Sequence, residues 1–185
     1  METGKIRSTN RNRTKDIALC GLFVALLAIC SWISIPLTVP VTLQTFAIFL
    51  CAGLLGTKRG TAATFCWILM GTIGIPVFSG FKGGPGVIFG PTGGYIVGFL
   101  LTVILVGIVV DKLGRKPVVM GAAMFVGLLL CYFLGTLWFM YFYGKSTGPI
   151  GFMATLSICV FPFVIFDIIK LIIAVFLTKR LENYV

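Results

Sequence analysis

The stretch VFSGFKGGPGVIFGPTGGY, residues Val77 to Tyr95, breaks into a chain that is strongly apolar on both sides of it. Seven of the fifteen residues from Gly80 to Gly94 are glycine, two are proline and one is the lysine Lys82. Glycine costs a helix interior about 1 kcal/mol per position and proline about 3 kcal/mol, so this segment is not a regular helix. It is a loop chosen for a backbone shape that other residues do not adopt. Irregular backbone at membrane depth is tolerated only where it is buried in protein or lines a cavity, which makes this loop the first place to look for a ligand.

The surroundings of the loop decide the class. Of 185 residues, 58% are hydrophobic and only 11% are charged. With a mean hydropathy of +1.09, the chain holds more apolar surface than a soluble domain of its size can bury. The expectation is an all-α integral membrane protein. The net charge of +10 does not point to nucleic acid, because the lysines and arginines fall between apolar spans and form no stripe with interleaved aromatics. Six cysteines sit in apolar stretches without paired spacing, and histidine is absent, so they read as small core residues and no metal site is expected.

Working outward, a basic segment (1–16, with Lys5, Arg7, Arg11, Arg13 and Lys15) reads as a retained cytoplasmic anchor ahead of a single transmembrane domain (17–185). From Ile17 to Thr57 no residue is charged, which holds two spans of about 20 residues with almost no loop between them. Pro36 and Pro40 mark their tight connection, with Thr42, Gln44 and Thr45 at the entrance of the second span. Lys58 and Arg59 end that span. Further spans are expected at about Ala62 to Phe78, Gly94 to Val110, Val118 to Phe139 and Met153 to Leu177, giving six helices. With a cytoplasmic N-terminus this arrangement places twelve of the fifteen lysines and arginines inside, Lys82 and Lys145 outside, and Lys170 within the membrane. Both termini are then cytoplasmic, and the glycine-rich loop caps a pocket from the outer side.

The sixth span, FPFVIFDIIKLIIAVFL, carries the sharpest chemical signal. Asp167 and Lys170 are three apart, so they share a helical face and can pair. Burying each in a bilayer costs about 2.5 to 3.5 kcal/mol, and an intramembrane ionisable pair is by default a functional site. The alternative is an ion pair that only fixes helix packing. In the first span, Ala18, Gly21, Ala25 and Ala28 line one face with small residues, fit either for packing against the protein's own helices or for a partner. No phosphate-binding loop, nucleophile elbow or carboxylate cluster is present, so no catalytic residues and no cofactor are expected.

The strings IPLTVPVTLQTF, AGLLGTKRGT, GGPGVIFGPTGGY and FDIIK, in that order, closely resemble the BioY family, the biotin-binding S components of energy-coupling factor (ECF) transporters. The resemblance spans Leu22 to Leu177. It implies a six-helix vitamin-binding subunit in the cell membrane that is not itself an enzyme. Its implied partners are biotin, membrane lipid, a transmembrane coupling protein and two cytoplasmic ATPases that drive inward release. It further implies that Asp167 and Lys170 hold polar groups of biotin, that Thr42, Gln44, Gly83, Gly84, Gly93, Gly94 and Tyr95 belong to the site and its cap, and that Lys82 stands where relatives carry a polar residue such as asparagine. Ala18, Gly21, Ala25 and Ala28 become the docking stripe for the coupling protein. An S component for another vitamin, a self-sufficient secondary transporter and a small membrane enzyme are the competing readings.

Overall fold

The computed structural model describes residues 2–146, 148 and 150–185, with side chains from Arg13 onward apart from Ser146. The side chains of Lys5, Arg7 and Arg11 therefore lie outside the described residues, as do Thr147 and Pro149 of the polar loop before the last helices. In chain order the elements are α1 (Glu2–Trp32), β1 (Ser34–Ile35), β2 (Val41–Thr42), α2 (Gln44–Thr72), α3 (Pro85–Ile88), α4 (Gly93–Leu113), α5 (Pro117–Ser146), α6 (Phe152–Cys159) and α7 (Phe161–Leu181). Among the described residues the regular elements are helices and one two-stranded ribbon, in which Ser34 pairs with Thr42 and Ile35 with Val41. This ribbon is the tight connection marked by Pro36 and Pro40. Helix α1 runs unbroken through the basic segment into the first apolar span.

Among the described residues, four helices are long and apolar enough to cross a membrane: Arg13–Trp32, Gly93–Leu113, Pro117–Lys145 and Phe161–Leu181. The second and third expected spans fall in α2. That helix is not straight: Gly56 has φ 69° and ψ −166°, far from helical values. Cys51 Sγ lies 3.6 Å from the carbonyl of Gly60, nine residues on, whereas a continuous helix would separate them by about 13 Å. The two arms, 44–55 and 57–72, therefore fold back on one another. Neither arm alone reaches the roughly 20 residues of a full span.

Reversing a helix at one residue leaves orphan carbonyls on one arm and orphan amides on the other. Side chains from α4 and the loop after it satisfy both. Arg115 donates from Nε to the Gly53 carbonyl at 2.8 Å and from a terminal nitrogen to the Leu54 carbonyl at 3.0 Å. The Thr57 amide donates to Asp111 at 3.0 Å. The signs suit helix ends, a cation at the C-terminus of one arm and an anion at the N-terminus of the other. Only glycine fits at 56, because φ is positive and a Cβ would collide with the Asp111 carboxylate.

Helix α7 shows how the bundle meets its surroundings. Its buried residues, Phe163, Asp167, Lys170, Ala174 and Thr178, recur at helical spacing on one face. Ile165, Phe166, Ile169, Ile172, Ile173 and Phe176 are exposed. A soluble helix does the reverse, so the outward face is built for lipid and the inward face carries the polar chemistry. The expected continuous last span is instead two helices. The chain breaks at Val160 (φ −130°, ψ −57°), just ahead of Pro162 in the first turn of α7.

Candidate functional site

Lys170 extends from α7 toward the start of α2. It is 8% exposed and Asp167 is 2% exposed, and their charged groups meet at 2.8 Å. An ammonium has three protons to donate. Lys170 Nζ places them on Asp167 Oδ1 at 2.8 Å, the Thr42 carbonyl at 2.6 Å and Thr45 Oγ1 at 3.3 Å. Thr45 in turn donates to Asp167 Oδ1 at 2.7 Å, and the Tyr132 hydroxyl donates to Asp167 Oδ2 at 2.6 Å. The pair is thus fully ordered by protein groups. It ties α7 to β2, to α2 and to α5.

A second polar chain adjoins it. Ser31 donates to the Leu27 carbonyl at 2.6 Å and accepts from Gln44 Nε2 at 2.8 Å, which orients the buried amide. Gln44 Oε1 accepts from the Thr42 hydroxyl at 3.0 Å. One Gln44 amide proton and one lone pair each on Asp167 Oδ2 and the Tyr132 oxygen are left over from these bonds.

These groups open onto a cavity of about 420 Å³. Small-molecule sites commonly have volumes of about 300 to 1,000 Å³, apolar walls and a few placed polar groups. The apolar wall here includes Phe78, Val87, Ile96, Phe99 and Phe163; Thr42, Gln44, Thr45, Lys82, Tyr95, Tyr132, Asp167 and Lys170 line it too. The cover comes from the ribbon between α1 and α2 and from the glycine loop, through Pro36 to Pro40 and Ser79, Gly80, Gly86 and Gly90.

Sequence-expected residues divide within this geometry. Thr42, Gln44, Lys82, Tyr95, Asp167 and Lys170 converge on the cavity. Tyr95 presents its ring there while its hydroxyl donates to the Cys159 carbonyl at 2.8 Å, satisfying the end of α6 where the chain breaks. Gly83, Gly84, Gly93 and Gly94 do not line the cavity; Gly80, Gly86 and Gly90 do. Positions 93 and 94 are glycine because a Cβ would run into the Ile88 carbonyl and the Trp138 side chain respectively, so they let the loop pack onto α4 and α5. Thr45 and Tyr132 also line the cavity and bond to Asp167, and motif reading leaves them unassigned. Tyr132 had one signal: a hydroxyl inside an apolar span needs a partner.

The chain's three tryptophans all hold the loop. Trp32 donates its indole N–H to the Pro76 carbonyl at 2.7 Å, Trp67 to Val77 at 3.1 Å and Trp138 to Gly90 at 2.8 Å. Trp32 also stacks on Phe81, centroids 4.9 Å apart.

The small-residue stripe of α1 lies elsewhere. Ala18, Gly21 and Ala25 are exposed and Ala28 is buried. Gly21, Ala25 and Ala28 line an open groove of about 780 Å³ between α1 and the second arm of α2; Ala18 is not among its lining residues.

A helical membrane protein with lipid-facing helices and a partly covered small-molecule cavity built around a buried ion pair is the class that this fold and site define. Over residues 4–185 the chain matches the BioY family, and it belongs to that family. It is 39% identical over 170 residues to the biotin transporter BioY of Thermotoga maritima, covering 91% of this chain and 96% of that one. It is 37% identical over 172 residues to a probable biotin transporter BioY of Pyrococcus horikoshii, covering 92% and 98%. The crystal structure of the S-component for biotin from an ECF-type ABC transporter superimposes with a TM-score of 0.85 at 27% sequence identity, covering 94% of each chain.

Proposed function

We propose that this chain is the biotin-binding S component of an ECF-type uptake transporter. The observation that carries the reading is the buried Asp167–Lys170 pair, held by Thr42, Thr45 and Tyr132 at the wall of an otherwise largely apolar cavity. Paired, these charges cancel, and the leftover capacity there is mostly for accepting hydrogen bonds. A cyclic urea with two N–H donors suits it: Asp167 Oδ2 and the Tyr132 oxygen accept, and the second Gln44 amide proton is available to the urea carbonyl. The fused rings then lie against Phe99 and Phe163, two of the apolar residues lining the cavity.

In this reading the two arms of α2 both run within the membrane, making six membrane helices with α6 and α7 as one interrupted span. Both termini are cytoplasmic, as the distribution of lysine and arginine favours. The cavity and its glycine loop face outward in the cell membrane. Gly21, Ala25 and Ala28, with Ala18 at the edge, form the face that meets a transmembrane coupling protein, whose two cytoplasmic ATPases drive release of biotin to the inside. The subunit uses no cofactor and performs no chemistry on its ligand.

Calorimetric titration of the purified full chain in detergent with biotin, riboflavin, thiamine and lipoate tests this. Stoichiometric binding of biotin alone is expected. Binding of another of the four with no response to biotin overturns the ligand, and silence from all four overturns the binding-protein reading.

A further inference from the structure

The charged side chains that line the cavity are Asp167, Lys170 and Lys82. The first two neutralise one another at 2.8 Å. Lys82 has no counterpart: of the five acidic residues in the chain none lies between Asp16 and Asp111, and no described ion pair involves Lys82. The cavity therefore carries one uncompensated positive charge. It sits in the loop that covers the site, and Lys170, with all three protons committed to Asp167, Thr42 and Thr45, has none spare for a ligand.

Lys82 is also held in place. Its carbonyl accepts from the Phe78 amide at 3.0 Å, closing a turn through Ser79, Gly80 and Phe81. Gly80 and Phe81 both take positive φ, 70° and 57°. Phenylalanine is rarely found there, and such a conformation persists where surrounding contacts over-determine it. Here the contact is the stack of Phe81 on Trp32. The turn thus keeps the base of the Lys82 side chain at the rim while the ammonium stays free to meet a ligand.

We propose that Lys82 is a specificity-determining residue that makes this site select a monoanion, taking the carboxylate of its ligand and discriminating against the same molecule as a neutral amide. The inference rests on the biotin reading above. Lys82 is exposed at the rim, so charge complementarity and a charge-assisted hydrogen bond to its ammonium carry the discrimination, and added salt should weaken it.

The test is calorimetry on the full chain in detergent with biotin and biotinamide, for the wild type, Lys82→Ala and Lys82→Arg. The wild type is expected to favour biotin by about threefold, the size of effect an exposed ion pair provides. Lys82→Ala should lose about threefold on biotin and bind biotinamide as the wild type does, while Lys82→Arg keeps the preference. Equal wild-type affinities for the two ligands overturn the proposal, as does Lys82→Ala weakening both alike, since that marks a loop-folding role. A wild type that binds neither ligand overturns the biotin reading and this inference with it.

Discussion

The cavity and the α1 groove are both concave, and they are made in opposite ways. The cavity is partly covered, and its wall includes a buried ion pair whose polar atoms are bonded to Thr42, Thr45 and Tyr132. The groove is open, its centre is built from Gly21, Val24, Ala25 and Ala28, and its charged residues Asp16, Lys58 and Arg59 stand at one end. Asp16 and Arg59 pair there at 2.8 Å, partly exposed. A polar network under a cover recognises a small molecule atom by atom, whereas a bare strip of small side chains offers only close approach to something large and smooth. The two surfaces have no lining residue in common: α2 gives Gln44 and Thr45 to the cavity and its second arm to the groove, while α1 lines only the groove, so changes at one should leave the other intact.

The strongest way to break that separation is at the ion pair. Lys170→Ala leaves the Asp167 carboxylate buried without its cation, which typically costs about 3 to 5 kcal/mol, so both the melting temperature and biotin affinity in detergent should fall. The double variant Asp167→Asn, Lys170→Met should recover most of the thermal stability and still bind biotin more than about tenfold more weakly, as calorimetry would reveal. Recovery of binding along with stability would make the pair a packing device and nothing more.

A smaller effect is expected from Tyr132→Phe, which deletes one hydrogen bond to a carboxylate. Roughly a tenfold loss of biotin affinity is the expected outcome of the same titration, and the melting point should fall by a few degrees, less than for Lys170→Ala, because a buried carboxylate oxygen loses its donor. Ser31→Ala acts one step further back. It frees the Gln44 amide without touching the cavity, so a loss of about threefold is expected, within the range of a neutral hydrogen bond.

The least effect on biotin, and the sharpest contrast, belongs to the groove. Ala25→Leu should bind biotin within about twofold of the wild type, because the residue lies outside the cavity. Co-purification with the coupling protein from membranes should nonetheless drop, since a bulky side chain on a small-residue face keeps the partner helix away. A loss of biotin affinity in Ala25→Leu would show that the two surfaces are energetically linked.

Much of this was readable in the residues. The charge-free run from Ile17 to Thr57 foretold a tight connection, and the three-residue spacing of Asp167 and Lys170 foretold their pairing. What escaped was contact at long range. The reversal at Gly56 depends on Asp111 and Arg115, distant in the chain, and nothing local to α2 announces them. The break at Val160 lies hidden in a uniformly apolar run, with Pro162 as the one local hint. Thr45 and Tyr132 reach Asp167 across 122 and 35 residues, a juxtaposition that exists only after the helices pack. The glycines of the loop were legible as a group but not one by one. Some line the cavity, while others sit behind it because a neighbouring backbone or side chain fills the space of a side chain.

The three indole rings that anchor the loop have a practical side. Every tryptophan of the chain donates to a carbonyl in or beside the cover of the cavity, and indole emission responds to its hydrogen bonding and to the polarity around it. The unmodified protein is consequently its own optical sensor. Any rearrangement of the cover on ligand entry should appear as a change in ultraviolet emission, and replacing Trp32, Trp67 and Trp138 one at a time by phenylalanine would say which hinge of the cover moves.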